Sequence, residues 1–229
     1  MFRDKELILF DFDGTLIDSV PDLAFAVNHM LGYLGLPTFE ESRIRGWIGN
    51  GARTLVERAL HAALGDAPLD PAYVDKALAV FMEHYAQNLA VATVAFPKVP
   101  EVLKHLHSKG FRMAIITNKP YAFIEPILQS MGMDTLFELT LGGDSLPNKK
   151  PHPEPLLHAC RLLGIDTEKA VMVGDSKNDI LAAKTAGMHC IGLGYGYNYD
   201  EDIAVYGPDL VIHDFCALAE PFGVHCEQG

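Results

Sequence analysis

Leu7-Ile8-Leu9-Phe10-Asp11-Phe12-Asp13-Gly14-Thr15 joins a short apolar run to a pair of carboxylates and a glycine. A run this brief and continuous suits a parallel strand buried on both faces. At its end Asp11 and Asp13 alternate, and Gly14 permits the chain to turn sharply. Two carboxylates there need a compensating cation. Taken alone, an Asp-x-Asp at a strand end fits a metal or catalytic role and a helix-capping or loop hydrogen-bonding role equally well.

Downstream of this strand, helical and strand-like stretches alternate. Lys98 to Lys109 places Val99, Val102, Leu103 and Leu106 at helical spacing and stops at Gly110, after which Arg112 to Thr117 resumes strand character. A helix carrying Phe123, Ile127, Leu128 and Met131 ends at Gly132, with Pro126 predicting a kink or a late start; Leu139-Thr140-Leu141 follows as a strand. Glu154 to Leu163 is helical and ends at Gly164, Ala170 to Val173 is a strand, Asp179 to Ala186 is a helix closed by Gly187, and Cys190 to Leu193 is a strand. This order predicts an α/β fold with a doubly wound, Rossmann-like parallel sheet.

Between Ser19 and about Ala92 the pattern changes to helical periods with no convincing strand. Pro21 suits the first turn of a helix carrying Leu23, Val27, Met30, Leu31 and Leu34. Thr38 and Glu41 have capping-box spacing, and Tyr73 to Leu89 is a longer amphipathic stretch. The expected organisation is a discontinuous core, 1–18 and 93–229, interrupted by an α-helical cap, 19–92. An insert directly after the first strand overlies the carboxyl ends of the parallel strands, where ligands bind in such sheets, so the cap is a candidate lid.

The chain of 229 residues is 49% hydrophobic and 21% charged, the balance of an ordinary soluble globular protein. No apolar run approaches the roughly 20 residues a membrane helix needs. The start of the chain does not read as a signal peptide, because acidic residues sit among the basic ones and the apolar run breaks at Asp11. Cys160, Cys190, Cys216 and Cys226 are scattered without a Cys-x-x-Cys pair and read as reduced thiols, so a cytoplasmic location is the default. A formal net charge of −12 argues against a nucleic-acid polymer as partner. It leaves a small anionic substrate open, since a bound divalent cation can reverse the local field.

Three further clusters fall at strand ends. Gly174-Asp175-Ser176-Lys177-Asn178-Asp179 follows a buried strand, with Asp175 and Asp179 spaced to share one helical face. A single acid there would be explained by helix capping, whereas four carboxylates converging from two strand ends repel unless magnesium or protonation relieves them. Thr117-Asn118 offers a hydroxyl and an amide to a phosphate oxygen. Lys149-Lys150-Pro151-His152-Pro153 supplies cations in a rigid loop, where a lysine could neutralise both a phosphate and a nucleophile.

In this order and spacing, Asp-Phe-Asp-Gly-Thr, Ile-Thr-Asn, Lys-Lys-Pro-His-Pro and Gly-Asp-Ser-Lys-Asn-Asp resemble the four motifs of the haloacid dehalogenase superfamily, phosphatase branch. Within it the chain is most similar to the bacterial phosphoglycolate phosphatases, through Asp18 to Leu23, Trp47 to Ala52, Asn148 to Pro153 and Tyr195 to Tyr199. The resemblance implies that Asp11 is the nucleophile and forms an aspartyl-phosphate, while Asp13 protonates the leaving oxygen and then activates water. It implies Mg2+ held by the Asp11 carboxylate, the Asp13 main-chain carbonyl and Asp175, with Asp179 a ligand or a supporting residue. Thr117 and the amide of Asn118 would bind the phosphoryl oxygens, and Lys150, which directly precedes Pro151, would offset their charge. Lys98 departs from the pattern, since many members of the superfamily have glycine there.

In the inserted segment, Trp47 to Arg53 combines glycines with polar groups. Gly49, Asn50, Gly51 and Arg53 are the expected contacts to the non-phosphate end of the substrate; the alternative is a plain helix-to-helix turn. The expected partner is a small phosphate ester bound by a monomer or homodimer. The competing functions are a sugar phosphomutase or a phosphatase of another small monoester, and, from another class, a noncatalytic phosphate-binding protein.

Overall fold

The computed structural model describes residues 1–199 and 201–224, and in it Leu7–Phe10 forms β1, buried on every side. Its neighbours are β4 (Arg112–Ile116) and β6 (Ala170–Gly174), both parallel to it. Outside these lie β5 (Leu139–Leu141), β7 (His189–Leu193) and β8 (Leu210–Ile212), giving a six-stranded parallel sheet in the order β5-β4-β1-β6-β7-β8. The chain builds outward from β1 to β5 and then returns to extend the other edge from β6. The order therefore reverses at β1, and the crevice at its carboxyl end is the position where such sheets bind ligands.

Alternation along the strands explains the two layers of the core. Ile8, Phe10, Met113, Ile115, Val171 and Val173 pack on one face with α5 (Val99–Ser108) and α6 (Ile124–Ser130). Leu7, Leu9, Ala114, Ile116 and Met172 pack on the other with α7 (Glu154–Leu163) and α8 (Lys177–Thr185). Pro126 is accommodated in the first turn of α6, after a single 3-10 turn at Tyr121–Phe123, because a proline there removes no helical hydrogen bond.

Four helices occupy the segment after β1: α1 (Val20–Tyr33), α2 (Glu41–Arg45), α3 (Ala52–Leu64) and α4 (Pro71–Gln87). α1 packs against the other three, and α3 against α4. Where the chain enters and leaves this segment, β2 (Ile17–Asp18) and β3 (Val94–Ala95) pair antiparallel, a ribbon too short to register in the sequence pattern. Beside it the buried Asp22 carboxylate accepts from Ala92 N, Thr93 N and Thr93 Oγ1, at 2.6 to 3.1 Å. One side chain thus ties the two chain crossings together. No helix among the described residues is long and apolar enough to cross a membrane.

Several local expectations are corrected. The Thr38–Glu41 capping box is absent, because α2 starts at Glu41 with Glu40 at its N-cap. Asn28 holds Phe39 by both main-chain groups, accepting from its N at 2.9 Å and donating to its O at 2.8 Å, which keeps residue 39 out of a helix. Asp175 and Asp179 do not share a helical face: Asp175 precedes α8, whose N-cap is Ser176. Lys98 takes the left-handed conformation (φ 67°) that glycine would occupy more cheaply. Cys160 and Cys190 are buried free thiols and Cys216 is half-buried; Cys226 lies outside the described residues.

Candidate active site

Register brings the strand-end motifs together. Phe10 pairs with Ile115 on one side and Val173 on the other, so Asp11, Thr117 and Asp175 emerge at the same edge of the sheet. The Asp11 N–H donates to Val173 O at 2.9 Å, and its carboxylate Oδ1 accepts from Phe12 N at 2.7 Å. Asp11 Oδ2 accepts no hydrogen bond from the described residues.

Lys150 reaches into this edge from the loop before α7. Its ammonium, almost wholly buried, stands 3.0 Å from Asp11 Oδ1 and 2.6 Å from Asp179 Oδ1. Lys149 points elsewhere and donates to Asn50 O at 2.6 Å. Asp179 spends its other oxygen on the start of its own helix, accepting from Ser176 N at 3.0 Å and Ser176 Oγ at 2.8 Å in a capping box. It thus contacts both Lys150 and the Ser176 turn.

Asp175 is clamped as firmly. Oδ1 accepts from Thr15 Oγ1 and Oδ2 from Tyr197 N, each at 2.6 Å. Gly14 (φ 87°) and Gly196 close in on it; a Cβ at either would lie 2.2 to 2.3 Å from Asp175 Oδ2, so only glycine lets the two loops approach. Oxygens of Asp11, Asp175 and Asp179 lie within 4.8 Å of one another, all buried. Burial and the nearby Asp179 push the Asp11 carboxyl up to about 7, against the lowering effect of Lys150. Burial, then Asp11 and Asp179, pushes Asp175 well above the usual carboxylate range. Three buried carboxylates, two of them paired with one ammonium, fit a divalent cation, whose charge would relieve their repulsion.

Asp13 is held apart from this cluster. Ser19 Oγ donates to its Oδ1 at 2.5 Å, and Lys119 Nζ donates to Oδ1 and Oδ2 at 2.9 and 3.2 Å. Lys119 also donates to Tyr85 OH, on α4, at 2.7 Å. Its ammonium is buried, yet Asp13 and Tyr85 hold its pKa above the ordinary lysine value. Lys119, Tyr85 and Ser19 were not among the expected site residues. Lys119 directly follows Thr117-Asn118, so its place beside a strand end was the available signal; Tyr85 at a helical period is indistinguishable in sequence from a core aromatic.

A cleft opens over Asp11 and Asp13. Thr117, Asn118 and Lys119 line it from the sheet edge, and Ile48, Gly49, Gly51, Phe81 and Tyr85 from the helical segment. Lys119 N donates to Thr117 Oγ1 at 3.2 Å. The Asn118 amide Nδ2 donates to Gly49 O and Lys150 O, each at 2.9 Å, while its buried Oδ1 has no partner among the described residues. Gly49 O also accepts from Asn178 Nδ2 at 3.2 Å, and Asn50 Oδ1 accepts from Tyr199 OH at 2.6 Å and Arg58 at 2.8 Å. The Gly49-Asn50-Gly51 loop is thereby fastened to the core.

Arg53 is a correction to the expected contacts. It faces Asp75 and Glu57 on the helical segment's outer side and does not line the cleft. As the second residue of α3, it finds two exposed acidic partners and no buried one among the described residues. Asn50 likewise serves the cap-to-core contact with its side chain, leaving Gly49 and Gly51 at the cleft wall.

Comparison with known proteins follows the same lines. The sequence profile of the haloacid dehalogenase-like hydrolases matches residues 8–193. A phosphoglycolate phosphatase of Colwellia psychrerythraea is 52% identical over 217 residues, spanning 94% of this chain and 96% of its own length. That of Psychrobacter arcticus is 50% identical over 219 residues, spanning 95% of each. The crystal structure of a predicted phosphoglycolate phosphatase from Haemophilus somnus superposes with a TM-score of 0.91 at 40% identity, covering 95% of this chain and 98% of that one. A profile match over most of the chain and relatives at half identity over nearly its full length agree with the six-stranded fold, and the chain belongs to the haloacid dehalogenase-like hydrolases.

Proposed function

We propose that this phosphatase hydrolyses 2-phosphoglycolate to glycolate and inorganic phosphate, with Asp11 as nucleophile. The observation that carries the reaction is the position of Asp11: Oδ1 is held by Lys150 and Phe12 N, and Oδ2 is left to the cleft. The substrate rests on the relatives that match nearly the full chain and bear that name.

In this reading Asp11 Oδ2 attacks phosphorus and the ester oxygen departs, taking a proton from Asp13. Asp13 then takes a proton from water, which attacks the aspartyl-phosphate and regenerates Asp11. Lys150 offsets the charge shared by Asp11 and the phosphoryl group, and Thr117 Oγ1 with the Asn118 main-chain N–H binds the phosphoryl oxygens. Magnesium, held by Asp11, the Asp13 carbonyl and Asp175, supplies charge neutralisation when bound. Asp179, committed to Lys150 and Ser176, supports that site from behind. Residues 19–92 act as the cap, and their apolar cleft wall excludes water from the reacting centre.

The test is release of inorganic phosphate from 2-phosphoglycolate, with magnesium and with a chelator, against sugar phosphates and an aryl phosphate. Magnesium-dependent release without any bisphosphate activator, fastest on phosphoglycolate, is expected. A need for a bisphosphate would point to a mutase, and no hydrolysis of any ester would leave only a binding role.

A further inference from the structure

The cleft has a second polar end, away from Lys150. Among the described residues that line it, Lys119 is the sole cation, and the apolar lining is made by Leu23, Ile48, Leu55, Phe81 and Phe123. We propose that Lys119 is the specificity residue of the site, its ammonium binding a carboxylate on the part of the substrate that is not transferred. The proposal rests on the phosphatase reading of Asp11.

A carboxylate entering an apolar cleft must exchange its water for a donor or forfeit several kcal/mol of solvation. Lys119 is built to meet it. An ammonium has three N–H donors. One is spread across the two oxygens of Asp13 and a second goes to Tyr85 OH, which leaves the third for a ligand. The position is rigid, since the side chain is buried and fastened from two bodies, Asp13 on the sheet edge and Tyr85 on α4. The Tyr85 ring also lies against the ammonium, 4.8 Å from centroid to Nζ.

A second feature favours an anion at the same place. Gly51 and Ala52, which open the thirteen-residue α3, line the cleft, and no side chain caps that helix. Its first N–H groups and its dipole add to the positive field there. The side chains of Leu23, Ile48, Leu55, Phe81 and Phe123 offer no hydrogen bond, so a neutral hydroxyl set against them gains less than a carboxylate on the ammonium. Binding through Lys119 would also set the reach from Asp13 to the ester oxygen, because the same ammonium touches both groups.

The experiment compares wild type, Lys119→Met and Lys119→Arg on 2-phosphoglycolate and on 2-hydroxyethyl phosphate, which has the same length and a neutral end. Both variants should be slower on both esters, since Lys119 also touches Asp13, so the readout is the ratio of the two kcat/KM values. In Lys119→Met the preference for the acidic ester should fall at least about tenfold, through a raised KM for phosphoglycolate, while Lys119→Arg keeps most of it. An unchanged ratio in Lys119→Met would mean that the lysine serves Asp13 alone and would overturn the proposal, as would a wild type that prefers the neutral ester. If wild type instead prefers a longer phosphorylated hydroxy acid and Lys119→Met abolishes that preference, Lys119 stands and phosphoglycolate falls. No phosphate release from any ester overturns both.

Discussion

Lys150 Nζ bridges Asp11 Oδ1 at 3.0 Å and Asp179 Oδ1 at 2.6 Å, so one ammonium holds the Asp11 carboxylate and the start of α8 at a fixed separation. Removing it leaves two buried carboxylates unpaired, which costs about 3–5 kcal/mol in comparable buried pairs. Lys150→Met should lower kcat by about 100-fold or more and destabilise the metal-free protein, whereas Lys149→Met, whose ammonium donates to Asn50 O, should stay within about tenfold of wild type. Equal losses in the two variants would reverse the assignment between adjacent lysines.

Asp11→Asn should have no detectable turnover, because an amide oxygen neither attacks phosphorus well nor leaves as a carboxylate. The same change should not unfold the protein. Above pH 7 Asp11 is a charge held in a buried site that also contains Asp179, so the variant should unfold at the same temperature as wild type or higher in chelator at about pH 8.

Metal affinity should rise with pH. Folding raises the Asp11 carboxyl from 3.8 to about 7 and raises Asp175 as well, so between those values the folded metal-free protein binds more protons than the unfolded chain. Its stability is therefore greatest at the acid end of that window and falls as pH approaches 7. A divalent cation must displace the same protons, so calorimetric titration with magnesium should show binding at least about tenfold tighter at about pH 8 than at about pH 5.5. An affinity flat across that interval would contradict the raised carboxyls.

Asp22→Ala should loosen the two chain crossings into the helical segment. Three donors, Ala92 N, Thr93 N and Thr93 Oγ1, lose their acceptor, and leaving buried donors unsatisfied costs about 1–3 kcal/mol. Urea denaturation should show a loss in that range, and faster proteolysis between 88 and 96.

Lys98→Gly should stabilise. Lys98 sits at φ 67°, where a Cβ costs about 1–2 kcal/mol and glycine's extra unfolded-state freedom returns about 0.5–1 kcal/mol of that. A net gain of about 0.5–1 kcal/mol in thermal or urea unfolding is expected.

Much of this was written in local pattern. Buried apolar runs, each stopping at a polar pair, identified β1, β4 and β6, and glycines after the helices marked their ends. Asp11, Thr117, Lys150 and Asp175 were legible because each stands at the end of such a run or beside Pro151. Lys119 and Tyr85 were not: one is an ordinary lysine after a motif, the other a helical aromatic, and nothing along the chain says that they meet. Arg53 failed for the opposite reason. Gly49 and Gly51 of its loop do line the cleft, but the direction of a side chain at the start of α3 depends on where Asp75 and Glu57 lie.

Periodicity and strand-end chemistry by themselves determined the α/β class, the helical insert and the identity of the acidic cluster, since these depend on residues near one another in the chain. Tertiary structure alone decided which lysine reaches Asp11, that Asp179 meets Lys150, and that Lys119 joins Asp13 to Tyr85. Those contacts cross between 29 and 139 residues of sequence or between separate elements, and only the register of β1 with β4 and β6 and the packing of α4 over the sheet edge bring their atoms within hydrogen-bond distance.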